Sequence, residues 1–369
     1  MNFNRRNFFK TAGVGAALAC TPTNLLSSVH NPALSTKNSF NKKEGKQRLS
    51  VKQLKEWESQ QYGMFLHFGM STFTGSELPD GKAPATLFAP DKLDVDQWVS
   101  VARDAGMKYA VLTTKHVAGH CLWPTEHTDY SVKNSTNKTD VVGEFIKACE
   151  RRGVKPGFYY CSWDNHNRFG SKTLSDGGKW RGMNSFPKDS NSELPAYTTS
   201  LYQNFQTAQI TELLKNYGSV FEVWIDIPGI LGEGYRTYLY NHISNLQPDT
   251  VIMMNSGIGD GTTYDEAYAW PSDLIAIERD RPSAAGYKKW RTIRGGEYYM
   301  PGEHCDPIGK EWFYVPGDLP RPDKDLLNQF ELTRKTGVNF LLNVPPNKSG
   351  LISKEYVASL MRLRKNAGL

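Results

Sequence analysis

A (β/α)8 barrel is the fold that the 369-residue sequence predicts, and three observations point to it. Short β-rich runs recur along the chain with helix-period segments between most of them, and several runs end on a polar residue. The clearest is FEVWID, 221–226. Its apolar and aromatic residues suit a strand buried on both faces, which places Asp226 at a C-terminal mouth. The competing arrangement is a doubly wound sheet, yet no GxGxxG or GxxxxGK[ST] run follows the first strand to cradle a nucleotide.

The elements follow in order. Leu54 and Trp57 mark a short amphipathic helix that delivers the chain to GMFLHFG, 63–69, the first strand, with His67 near its end. After a loop with Glu77 and Asp80, residues 91–106 read as a helix whose Val95, Trp98, Val99 and Ala102 share a face and whose Gly106 is the stop. KYAVLTTKH, 108–116, is the second strand and ends on Lys115 and His116. A helix over 140–152 leads to VKPGFYYCSWD, 154–164, the third strand, which closes on Trp163 and Asp164. A polar insertion over 165–195 has a length that is usually functional or mobile. A helix over 197–217 then feeds FEVWID. Beyond a helix at 235–245 come TVIMMNSG, 250–257, and DLIAIERD, 273–280, which carries Glu278. The aromatic run RTIRGGEYYMPGE, 291–303, holds Glu297 and Glu303 and takes the seventh place. A helix over 325–336, the strand-like GVNFLLNVPP at 337–346 and a last helix over 353–365 complete the set.

The formal charge of +6 is concentrated at one end. Residues 1–48 hold eight Lys or Arg and one Glu, so the rest carries 36 basic and 37 acidic side chains, a net of −1. A body so close to neutral has no electrostatic footprint for nucleic acid, which excludes that class of function. The terminus itself reads as an export signal over 1–20: Arg5 and Arg6 precede an apolar, small-residue stretch and Cys20, a twin-arginine-like pattern with an imperfect lipobox. Cleavage after Ala19 and a lipid anchor on Cys20 are both open, so the protein is expected in the periplasm or at the cell surface. Residues 21–48, rich in Ser, Asn, Thr and Lys, read as a tether, and the barrel domain as 49–369. Cys121, Cys149, Cys161 and Cys305 form no CxxC pair and are expected as buried thiols.

With the strands so placed, His67, His116, Trp163, Asp226, Asn255 and Glu278 share one rim. Each has a plainer reading alone: Asp226, followed by Pro228 and Gly229, would cap a turn, and a lone His in an apolar run is usually a bonded core residue. Packing gives no reason for all of them to recur at the same strand ends. Imidazoles, an aromatic floor and two carboxylates are the equipment of glycoside hydrolysis, one carboxylate attacking the anomeric carbon and the other protonating the leaving oxygen. His116 and His120 are four apart, a metal-ligand spacing on a helix, but Gly119 and the strand-end position argue against a helix there.

At these residues the chain resembles the glycoside hydrolase family 29 α-L-fucosidases, within them the branch acting on α-1,3/1,4-linked fucose. The resemblance runs from about 50 to 365. It is carried by HFGMSTFTGSE at 67–77, TTKH at 113–116, CLWPTEHTDYSVKNS at 121–135, DVVGEFIKACERRGVKPGFYYCSWD at 140–164, EVWID at 222–226, YYMPGEHCDPIGKEWFY at 298–314 and NFLLNVPPNKSGLI at 339–352. It implies a single barrel without the family's C-terminal β-sandwich and a retaining exo-glycosidase with no metal or organic cofactor. Asp226 matches the nucleophile. His67, Glu77 and His116 match residues that hold sugar hydroxyls, and Trp163 and Asp164 match a further substrate-binding region. Glu278 is the expected acid/base, with Glu303 and Glu297 in reserve.

Three departures accompany the match. KHVAGH stands where relatives have KHHDGF, so Val117 replaces an imidazole, with His120 able to restore a donor from another angle. Ile227 follows the nucleophile where relatives have Gly, and Leu78 follows Glu77 where they have Trp. The expected function is an exported α-L-fucosidase that takes fucose, or a related L- or 6-deoxy sugar, from the end of a glycan. The alternative is a carbohydrate-binding protein on the same fold with impaired chemistry.

Overall fold

The computed structural model describes residues 44–167 and 198–369. The expected export signal, the expected tether up to residue 43 and the polar insertion from residue 168 lie outside the described residues. Residues 44–48, assigned above to the tether, are packed on the barrel. Gly45 N–H donates to the Glu297 carbonyl (3.0 Å), the Gln47 amide to that of Tyr299 (2.6 Å), and the Arg48 guanidinium to those of Pro248 and Thr250 (both 2.6 Å). Composition shows only that this stretch cannot build a core. It does not show that its polar groups find carbonyls to satisfy.

Eight parallel strands surround the core: β1 (Tyr62–Leu66), β2 (Tyr109–Lys115), β3 (Lys155–Cys161), β4 (Glu222–Asp226), β5 (Val251–Met254), β6 (Ile275–Glu278), β9 (Gly302–Pro307) and β10 (Asn339–Asn343). β7 (Trp290–Ile293) and β8 (Gly296–Tyr299) form a separate antiparallel hairpin. The ladder runs β5-β4-β3-β2-β1-β10-β9-β6, which is the barrel order with one seam between β5 and β6. Side chains close that seam. Ile252 N–H donates to Asp273 Oδ2 (2.9 Å), Asp273 N–H returns to the Ile252 carbonyl (2.8 Å), and Met254 N–H meets Ser272 Oγ (3.1 Å). Arg48 pairs with the buried Asp273, so the leading segment neutralises the charge that seals the barrel.

The helices are α1 (Val51–Glu58), α2 (Met70–Thr74), α3 (Val95–Asp104), α4 (Val141–Arg152), α5 (Ser200–Asn216), α6 (Glu233–Leu246), α7 (Glu266–Ala269), α8 (Asp323–Thr336) and α9 (Lys354–Ala367). Their starts follow capping chemistry: Ser50 and Gln53 make a reciprocal box at α1, and Asp94, Asp140, Thr199 and Ser353 accept from the first turns of α3, α4, α5 and α9. Buried Val95, Trp98, Val99 and Ala102 of α3 are the face the sequence periodicity marks.

The seventh strand differs from expectation. Residues 290–299 fold back on themselves because Arg294 and Gly295 both take positive φ (50° and 79°), as a two-residue hairpin turn requires. The barrel strand is the next run, GEHCDP, which pairs in parallel with β6 and β10. This moves Glu297 onto the hairpin, away from the rim. The four cysteines of the barrel are buried free thiols, as expected.

Candidate active site

Strand ends deliver the site. His67 and His116 directly follow β1 and β2, Asp226 and Glu278 are the last residues of β4 and β6, and Asn255 directly follows β5. Together with Glu77, Leu78, Val117, Ile227 and Trp312 from the loops they line an open cup. Its floor is the aromatic layer of the barrel. Phe65, Tyr159 and Trp224 point inward from β1, β3 and β4 with ring centroids 5.3–5.8 Å apart.

Asp226 is 8% exposed and accepts three hydrogen bonds, from Tyr159 O–H (2.6 Å), Asn255 Nδ2 (2.8 Å) and Ile227 N–H (2.9 Å). Burial pushes its carboxyl upward, and the three donors oppose that shift. Among the described residues Glu278 accepts from Asn255 alone (2.8 Å). Burial, and then the neighbouring charge of Asp226, push its carboxyl up to about 7. The pair is thus divided: the carboxylate with three donors holds the negative charge, and the one with a single donor holds the proton. Both acceptor oxygens lie 2.8 Å from one amide nitrogen, so they are separated by at most twice 2.8 Å, or 5.6 Å. Retaining glycosidases place their carboxyl groups about 5–5.5 Å apart.

His67 Nδ1 lies 2.8 Å from Asn343 Oδ1, while Asn343 Nδ2 donates to the Trp312 carbonyl (2.8 Å). That orientation makes the Asn343 oxygen the acceptor, so Nδ1 carries the hydrogen and Nε2 offers a lone pair. Burial, and then His116, hold the His67 imidazole neutral, well below its usual range. Burial lowers His116 to about 3, and its ring stacks on Tyr159 (5.6 Å, 18°). Glu77 is half-buried, its carboxyl raised by burial against the pull of Arg279.

The cup therefore gathers Asp226, Glu278, His67, His116, Glu77 and Asn255 of the residues singled out in the sequence. Five others lie elsewhere. His120 is buried outside the lining, stacked on Phe88 (5.1 Å) with Nε2 2.8 Å from Ser135 Oγ, because the turn at Gly119 (φ 87°) swings it behind the rim. Asp164 is fully buried in an ion pair with Lys115 (2.7 Å) and accepts the N–H groups of His166 and Asn167, which makes it the anchor of the loop after β3. Trp163 is 2% exposed and donates to Asn165 Oδ1 (2.7 Å). Glu303 sits near the start of β9, under the floor, where Tyr109 O–H (2.5 Å) and Trp224 Nε1–H (2.9 Å) donate to it. Glu297 pairs with Thr292 on the hairpin. Neither reserve glutamate faces Asp226.

Sequence reading missed Tyr159, Trp224, Trp312 and Asn343. The first two were legible in principle. Tyr159 pairs in register with Trp224, and Cys161 with Asp226, so the period-two rule sends both aromatics to the barrel interior beneath the nucleophile position. Asn343 and Trp312 act through each other across 31 residues, which no local pattern encodes.

A family model for α-L-fucosidase matches residues 82–365. The chain belongs to the α-L-fucosidase family. It is 35% identical over 319 residues to α-L-fucosidase 1 of Arabidopsis thaliana, covering 83% of this chain and 57% of that one. The chain thus spans a little over half the length of the curated relatives it matches first. A solved structure from Bacteroides thetaiotaomicron superposes with a TM-score of 0.68 at 28% identity, covering 88% of this chain and 68% of that one. α-L-Fucosidase isoenzyme 1 of Paenibacillus thiaminolyticus gives 0.66 at 25% identity, with 85% and 74% covered. The fold is that of the family's catalytic barrel.

Proposed function

We propose that this protein is a retaining exo-glycosidase, an α-L-fucosidase that removes a terminal α-linked L-fucose or a close L- or 6-deoxy relative from a glycan. The observation that supports this most directly is the unequal carboxyl pair bridged by Asn255. Asp226, ionised under its three donors, attacks the anomeric carbon. Glu278 gives its proton to the departing glycosidic oxygen. In the second step Glu278 takes a proton from water as that water breaks the glycosyl bond to Asp226. His67 Nε2, His116 and Glu77 meet ring hydroxyls, and Phe65, Trp224 and Trp312 supply flat apolar faces.

A binding protein with lost chemistry is not favoured, because such a protein has no need of two buried carboxyls bridged by one amide. Export to the periplasm or cell surface belongs to the same proposal and rests on the Arg5-Arg6 pattern and the apolar, small-residue stretch after it. The test is release of 4-nitrophenol from 4-nitrophenyl α-L-fucopyranoside. Asp226→Asn is expected to lower kcat by at least about 10³-fold while leaving thermal unfolding unchanged. Turnover within a few-fold of the unsubstituted protein would remove Asp226 from the nucleophile role.

A further inference from the structure

Asn255 directly follows β5, is 5% exposed, and bonds to both carboxyls of the site. Its Nδ2 lies 2.8 Å from Asp226 Oδ1 and 2.8 Å from Glu278 Oε2, and its Oδ1 accepts the Gly257 N–H (2.9 Å). That third bond fixes the amide's orientation, so its nitrogen is the atom facing the pair. An amide nitrogen has two hydrogens and can serve both acceptors at once.

The four carboxyl oxygens are thereby unequal. Asp226 Oδ1 accepts from Asn255 and from Ile227 N–H, which occupies its lone pairs, whereas Oδ2 accepts from Tyr159 alone and keeps one free. On Glu278, Oε2 accepts from Asn255. Oε1, with no hydrogen-bond partner among the described residues, is left to carry the proton.

In the first step Asp226 Oδ2 forms a bond to the anomeric carbon, the glycosidic C–O bond breaks, and the Glu278 proton goes to the leaving oxygen. Asp226 is then a neutral ester and Glu278 the anion. In the second step water's oxygen bonds to the anomeric carbon, its proton goes to Glu278, and the bond to Oδ2 breaks, which returns the charge to Asp226. The negative charge thus alternates between the two acceptors of one amide, and a hydrogen bond to an ionised acceptor is the stronger kind. Asn255 touches the carboxyl that loses charge as well as the one that gains it. An interaction equally strong before and during a step does not accelerate that step.

We propose that Asn255 is a positioning residue that follows the charge: it favours Asp226 as the anion before attack and Glu278 as the anion after it, and so sets the pH window of the reaction while leaving the speed of each displacement nearly as it is. This rests on the hydrolase reading above. Other titratable groups face the pair. Burial keeps Tyr159 and Cys161 of β3, Cys305 of β9 and Tyr268 of α7 protonated, and the imidazoles of His67 and His116 neutral. Glu77 and Arg279 act on Glu278 in opposite directions, the first raising its carboxyl and the second lowering it. Among the described residues, Asn255 alone donates to both carboxyls.

The test is the pH dependence of kcat/KM and kcat for the full chain and for Asn255→Ala on phenyl α-L-fucopyranoside, whose leaving oxygen needs the proton. The acid limb reports protonation of Asp226 and the basic limb loss of the Glu278 proton. Asn255 favours the charged form of each, so its removal is expected to move both limbs to higher pH by about half a unit to one unit. kcat at the optimum is expected to stay within about tenfold of the native value. Asn255→Ser, too short to reach both carboxyls, is measured beside it in case alanine loosens the loop, and thermal unfolding checks both folds. Unmoved limbs, or movement of one limb alone, overturn the inference and leave the hydrolase reading standing. A larger fall in kcat in a folded variant also overturns it, because the amide would then act chiefly in the transition state. A native protein that turns over neither this substrate nor its 4-nitrophenyl analogue overturns both.

Discussion

The acid/base role proposed for Glu278 rests on how few of the described groups touch it. Asn255 alone donates to it and Asp226 faces it, so its carboxyl is raised to about 7, while the three donors on Asp226 favour the charged form there. In the proposed mechanism the active free form has Asp226 ionised and Glu278 protonated. kcat/KM is therefore expected to fall as pH rises through about 7, when Glu278 loses the proton that the leaving oxygen needs. Glu278→Gln should abolish that basic limb and depress turnover most for natural glycans, whose leaving groups need protonation. Measured pH profiles of the two proteins check this, and an unchanged basic limb in the glutamine variant would assign the titration to another group. Asp226 and Glu278 were legible in the sequence because each ends a β-rich run. His120 and Asp164 were misplaced for a common reason: beyond a strand end, the turn decides which way a polar side chain faces, and Gly119 and the Lys115 ion pair turned these two inward.

At the scale of elements, strand and helix positions were readable to within a few residues because burial on both faces and a helical apolar stripe leave strong periodic traces. The hairpin β7-β8 was the exception. Its turn, Arg294-Gly295, puts an arginine at positive φ, where Asn or Asp is the usual turn signal, so only the Gly295-Gly296 pair in RTIRGG hinted at a reversal. The arginine's ion pair with Glu233 joins side chains 44% and 55% exposed, a kind that contributes little. Arg294→Asn is accordingly expected to stabilise the protein by several tenths of a kcal/mol up to about 1 kcal/mol, read as a rise in the urea midpoint at constant slope. A fall in the midpoint would show that the Glu233 pair outweighs the backbone strain.

For the whole molecule, the layer below the floor sets a limit on the pH range of the fold. Glu222 and Glu303 are both fully buried, with Trp57 donating to Glu222 (3.1 Å) and Tyr109 and Trp224 to Glu303. Two charges cannot coexist there, so burial and the charge of Glu303 hold the Glu222 carboxyl protonated, far above its usual range. Its Oε1 meets no donor among the described residues, and a hydrogen bond with Glu303 favours the protonated form. In the unfolded chain Glu222 ionises near the ordinary carboxyl range, so above that range the folded state binds more protons than the unfolded one. Stability from this pair is full in acid and declines as pH rises. Glu222→Gln keeps an N–H for Glu303 and an oxygen for Trp57 without titrating. It is expected to lose this decline, so that its melting temperature relative to the native protein improves steadily from pH 5 to pH 8. A constant difference across that range would show that Glu222 does not change its protonation on unfolding.

The sequence by itself determined the barrel, the order of its elements, and which carboxylates end its strands, since these follow from periodicity and from residues a few positions apart. Tertiary structure alone decided which glutamate faces Asp226, how Asn343 fixes the tautomer of His67, and that residues 78, 117 and 227 line the same cup. The reason is physical. Periodicity reports which face of an element is apolar, whereas hydrogen bonds and cavity walls depend on the closure of a ring of strands, which brings together side chains tens to hundreds of residues apart.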